Sequence, residues 1–95
     1  MIDYELSAKR IAALYSQEFG GKSSGRFRVA AKQLRELLGV RRIYEDDVTR
    51  LSRCMLNEGY VLIDMDSFYV VLSANAFVNY RRANAESLNR VMDIE

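Results

Sequence analysis

The chain has no histidine, no proline, no tryptophan and one cysteine among 95 residues. No apolar run approaches the ~20 residues needed to cross a bilayer. Without histidine, the usual general base and the commonest metal ligand are missing. A lone Cys54 cannot close an internal disulfide, so nothing points to an oxidising compartment. The opening Met-Ile-Asp-Tyr-Glu is not a basic stretch followed by an apolar one, so no secretory leader is expected. A cytoplasmic, membrane-free protein is the expectation. What is present is material for a core: 49% hydrophobic residues, including six Tyr and four Phe, with no low-complexity tract. That composition predicts one ordered domain over residues 1–95, with its core in 6–73 and a C-terminal helix over 74–92.

Net charge is only +1, but it is unevenly spread. Residues 22–42 carry Lys22, Arg26, Arg28, Lys32, Arg35, Arg41 and Arg42 against Glu36 alone. Residues 54–95 carry three arginines against six carboxylates. This polarity predicts one basic working face that gathers the cations of the middle segment, with an acidic or neutral back.

Tyr4, Ala8, Ile11, Ala12, Tyr15 and Phe19 recur at three- and four-residue steps, predicting a first helix over about 7–19. Ser7 is its expected N-cap, with Leu6 and Ile11 as a staple and Gly20-Gly21 as its C-terminal stop. A loop, Lys22 to Arg26, leads into a short extended piece at Phe27-Arg28-Val29. Ala30, Leu34, Leu37 and Leu38 share one side of a second helix closed by Gly39. A third, over 44–57, has the cleanest pattern. Tyr44, Val48, Leu51 and Met55 fall within about 60° on a helical wheel. Asp46, Thr49, Arg50, Arg53 and Asn57 line the opposite side.

Two β-branched and aromatic runs, 60–64 and 68–72, flank Met65-Asp66-Ser67 and read as a hairpin. Leu62, Phe68, Val70 and Leu72 are assigned to one face, and Val61, Ile63, Tyr69 and Val71 to the other. Both being apolar, a second layer is expected to cover the hairpin. The candidate is a last helix capped by Ser73, with Leu72 and Phe77 as its staple. Its stripe of Ala74, Val78, Ala85, Leu88 and Met92 is interrupted by Arg81. Val78, Ala85, Leu88 and Met92 come near a heptad seam, so this helix either pairs across a two-fold axis in a homodimer or folds back over its own hairpin.

Catalytic and cofactor motifs are weak. Cys54 has no histidine to activate it and reads as packing. Gly21-Lys22-Ser23 looks like the end of a phosphate-binding loop, but Ser16 stands where the first glycine belongs and a helix precedes it. Asp64 and Asp66 read as turn residues rather than metal ligands. Most tyrosines fall at core spacing rather than on a stacking surface. No enzyme, cofactor or metal is expected.

The segments FRVAAKQLRELLGV (27–40), NEGY (57–60) and VLIDMDSFYVVL (61–72), taken in order, resemble the winged helix-turn-helix superfamily of bacterial, phage and plasmid transcription regulators. The resemblance covers about half of the chain and implies a particular α+β, mainly α, fold. That fold has three helices, a two-stranded wing with a short extra strand, and here a C-terminal helix. It also implies double-stranded DNA as partner, with the third helix in the major groove. Thr49, Arg50, Arg53 and Asn57 would then face base edges. Arg41, Arg42, Lys32 and Gln33 would meet phosphates, with Lys22, Arg26 and Arg28 adding backbone contacts. Two features stand against this. Asp46 and Asp47 are spaced to ion-pair with Arg50 on an ordinary solvated face, and Asp64 and Asp66 make the wing tip acidic, so no wing–phosphate contact is expected. A protein-interaction adaptor, joined through the acidic wing or the last helix, and an RNA-binding winged helix are therefore alternatives.

Overall fold

The computed structural model describes residues 1–95 and shows a small α+β fold. Its elements are α1 (Tyr4–Leu14), β1 (Phe27–Ala30), α2 (Ala31–Leu38), α3 (Glu45–Asn57), β2 (Tyr60–Asp64), β3 (Phe68–Ser73), a 3-10 turn (Ala74–Phe77) and α4 (Ala85–Asn89). The sheet is antiparallel, in the order β1-β3-β2. Ala8 and Ile11 of α1, Leu34 and Leu38 of α2, and Leu51 and Met55 of α3 pack with Leu62, Tyr69 and Val71 of the sheet in one core. The three helices thus cover one sheet face. No helix is long and apolar enough to cross a membrane.

The expected strand at 27–29 is present, and its residue spacing explains how it docks. Phe27 pairs with Val71 and Val29 with Tyr69, so both turn toward the core and pack against it. Arg28, between them, points the other way because successive strand residues alternate faces. The hairpin register corrects the expected division of faces. Met65 N–H donates to Phe68 C=O, leaving only Asp66 and Ser67 in the turn. Leu62 therefore opposes Val71 and Ile63 opposes Val70. The inner face holds Leu62, Tyr69 and Val71. The outer face holds Val61, Ile63, Phe68, Val70 and Leu72. The turn itself rests on Asp66 at φ +72°, with Asp64 Oδ1 accepting from Asp66 N–H at 2.8 Å. Aspartate tolerates that left-handed region better than most side chains.

Both boundaries of the first helix also differ from expectation. Asp3, not Ser7, caps α1: its carboxylate accepts from Leu6 N–H at 3.0 Å, and Ser7 is buried inside the helix. Leu6 is exposed, so it does not staple to buried Ile11. The helix stops at Leu14 rather than Phe19. Gly20 and Gly21, at φ +59° and +80°, build a tight turn across which Phe19 and Lys22 exchange backbone bonds of 3.0 and 3.1 Å. Two consecutive positive φ values suit a glycine pair, and Phe19 then packs edge-on against Phe27 at 5.6 Å. Gly39, by contrast, closes α2 as expected, at φ +73°.

The largest correction concerns residues 74–92, which do not form one helix. Ser73 does cap the next turn, accepting from Asn75 N–H at 3.2 Å, but that turn is 3-10 and ends at Phe77. A second start signal then intervenes. Asn84 Oδ1 accepts from Ser87 N–H at 2.9 Å while Ser87 Oγ accepts from Asn84 N–H at 2.8 Å. This reciprocal cap holds Asn84 extended, at φ −128° and ψ −179°, which no through-helix permits. The heptad seam of Val78, Ala85, Leu88 and Met92 is accordingly absent: Val78 precedes the break, Ala85 begins α4, and Met92 lies beyond it. No residue from 74 to 95 is buried.

Candidate nucleic-acid interface

One side of α3 is committed to the core through Leu51 and Met55, leaving a ridge of Asp46, Thr49, Arg50, Arg53 and Asn57 exposed. These side chains are not equally free. Thr49 Oγ1 donates to Glu45 C=O at 3.0 Å, inside its own helix. Arg50 Nε pairs with Asp46 Oδ2 at 3.0 Å, and its guanidinium lies 5.9 Å from the Tyr4 ring centroid. The expectation that Asp46 and Arg50 pair is met; Asp47 takes a different partner. Arg53, one turn along the same ridge, has no ion-pair partner. Together with Asn57 it presents free polar atoms to solvent.

Asp47 turns toward α1. Tyr4 Oη donates to Asp47 Oδ1 at 2.7 Å, and Tyr44 N–H donates to Asp47 Oδ2 at 2.9 Å. The tyrosine hydrogen bond first, then the backbone one, hold the Asp47 carboxyl below its ordinary 3.8; the same bond raises Tyr4 above 10.0. The sign for stability follows. A depressed carboxylate stabilises the fold above its unfolded titration and ceases to do so as pH falls through the folded value. Tyr4→Phe is therefore expected to move Asp47 back up toward 3.8, read as the pH titration of its side-chain carbonyl shift by NMR. An unmoved Asp47 would show that the hydrogen bond is not its cause. The wild type should also lose this contribution below about pH 4.

The basic segment does not gather on a single face. Arg35, Arg41 and Arg42 line a cleft of about 340 Å³ between α2, the start of α3 and the hairpin tip, where Glu45, Asp64 and Asp66 face them. Lys32 and Gln33 stand exposed on α2, on the side away from Leu34 and Leu38. Lys22 and Arg26 surround the Gly20-Gly21 turn, beyond the end of β1 that pairs with Val71. That end lies about 10 Å along the strand from the Ala30–Phe68 pair beside the hairpin tip. Arg28 is on the outer sheet face, its guanidinium 5.6 Å from the Phe68 ring centroid. Fixing Phe27 and Val29 in the core forces this separation. Nearness in sequence does not survive a strand, whose side chains alternate, or a tight turn, which reverses direction.

Two placements do not follow from the sequence. Arg35 joins Arg41 and Arg42 because it flanks the buried stripe of α2 on the side of Ala31, which lines the same cleft. Its place one residue beyond Leu34 was the available signal. Tyr4 packs against the core as expected and also buttresses the ridge of α3 through Asp47 and Arg50. Tyr69 forms part of the cleft wall; burial first, and then Asp64, raise its hydroxyl pKa above 10.0. Cys54 is half-buried and free, and no group of three potential metal ligands is assembled. The chain matches no protein-family model, no curated protein and no solved structure.

Proposed function

We propose that this chain is a winged-helix DNA-binding protein, a small non-enzymatic transcriptional regulator that inserts α3 into the major groove. The observation that carries the reading is the exposed α3 ridge, on which Arg53 and Asn57 are unpaired, with Arg41 and Arg42 in the turn just before it. The strand order β1-β3-β2, wrapped around α2 and α3, supports the winged-helix assignment. Of the features that stand against this reading, the Asp46–Arg50 pair is present, which leaves Arg53 and Asn57 as the free base-facing pair. Asp47 is directed at Tyr4, and Asp46 is matched by Arg50. Lys32, Gln33, Arg41 and Arg42 are the phosphate contacts; Lys22, Arg26 and Arg28 fall outside this footprint. The hairpin tip, with Asp64 and Asp66, stays off the backbone. B-form DNA is favoured over duplex RNA because the deep, narrow RNA major groove does not admit a helix.

The test is fluorescence anisotropy with random-sequence DNA and RNA duplexes at 50 and 200 mM salt. Three phosphates neutralised by Lys32, Arg41 and Arg42 give a log–log salt slope of about −2.7, hence a loss of roughly 40-fold over that range. Absence of DNA binding at 50 mM salt would overturn the reading. It would favour the second one, a protein-interaction adaptor, which the acidic hairpin tip and the uncovered outer sheet face support.

A further inference from the structure

We infer that the C-terminal arm, residues 74–95, lies across the outer sheet face of a second copy of this chain, in a mutual exchange. The first observation is surface. A compact monomer of 11.0 kDa exposes about 5,600 Å². This chain exposes 7655 Å². The excess is roughly 2,000 Å² per chain, ample for the ~800 Å² that each partner contributes to a standard interface. The second is shape. The Cα radius of gyration is 16.1 Å and the long axis 46 Å, against about 12 Å expected for a compact domain of this length.

The third observation is where the excess lies. The arm has no fully buried residue, yet it carries Val78, Tyr80, Met92 and Ile94 at 72, 68, 73 and 74% exposure, with Leu88 and Val91 half exposed. The sheet in turn has an apolar outer side on which none of the helices packs, with Ile63 36% exposed and Val61, Phe68, Val70 and Leu72 half-buried. An arm without a surface and a surface without a layer complement each other. Within one chain neither the 3-10 turn nor α4 packs on the sheet. A two-fold exchange satisfies both surfaces at once and closes, leaving no free arm.

The experiment is the solution mass of the 95-residue chain by light scattering across micromolar concentrations, with three variants. The wild type is expected at twice 11.0 kDa. Leu88→Asp combined with Met92→Asp, on the arm, should give monomer, and so should Val70→Asp on the sheet. Ile63→Lys, at the more exposed end of the outer face, replaces Val70→Asp if circular dichroism shows that variant unfolded. A monomeric wild type overturns the inference. So does a sheet variant that stays folded and dimeric while the arm variant dissociates, because the arms would then pair with each other. None of these outcomes bears on duplex binding, which is measured separately.

Discussion

Met55→Ala is expected to lower the free energy of unfolding by about 2–5 kcal/mol. Met55 is fully buried, on the side of α3 that meets both α1 and the sheet, and the core it belongs to has only nine buried side chains. Truncation removes the packing of a long thioether and leaves a cavity that two rigid layers cannot collapse around. For a domain of this size each kcal/mol corresponds to roughly 4–8 °C in Tm. The loss should therefore be conspicuous in thermal denaturation followed by circular dichroism. Leu56→Ala is the control. Leu56 is the next residue on the same helix but is 56% exposed, and its truncation should change stability by no more than about 0.5 kcal/mol. Equal effects at the two positions would contradict the placement of α3.

Arg53→Ala should weaken duplex binding by about 1–3 kcal/mol, or roughly 5–150-fold, if Arg53 reads a base edge as proposed. Arg50→Ala should cost less. To reach a base, Arg50 must leave Asp46 and the Tyr4 ring, and the broken pair offsets part of the new contact. Asp46→Asn separates these effects: it frees Arg50 and removes a carboxylate from the surface facing phosphate, so binding should tighten. Anisotropy titrations at one fixed salt concentration decide all three. Full affinity retained by the Arg53 variant would remove α3 as the reading helix.

The second and third helices, the extra strand and the hairpin were legible because their sequences repeat with the period of the structure they adopt. The 44–57 segment needed only its own wheel to be placed within one residue. What could not be read is settled by competition between local signals or by partners distant in sequence. Asp3 and Ser7 are both capable caps, and only the packing of Ala8 and Ile11 decides in favour of the earlier. Gly20-Gly21 can end a helix or make a reverse turn; the contact of Phe19 with Phe27 selects the turn. Residues 74–92 show an apolar stripe, but Asn84 and Ser87 carry a restart signal that overrides it. At the site, the ridge on α3 followed from periodicity alone. The dispersal of the cations did not, since the direction of Arg28 depends on its pairing with Val70, 42 positions later.

The strand order has a consequence in time. β3 is the middle strand, so β1 and β2 have no hydrogen-bonding partner in the sheet until residues 68–73 exist. Everything up to Ser67 leaves the ribosome before either can be completed. β2 then finds β3 across a two-residue turn, at little loop-closure cost. β1 must be recruited from across α2 and α3, the slower, non-local step. The sheet is therefore expected to grow from the hairpin outward, with β1, although synthesised first, the last strand to be seated.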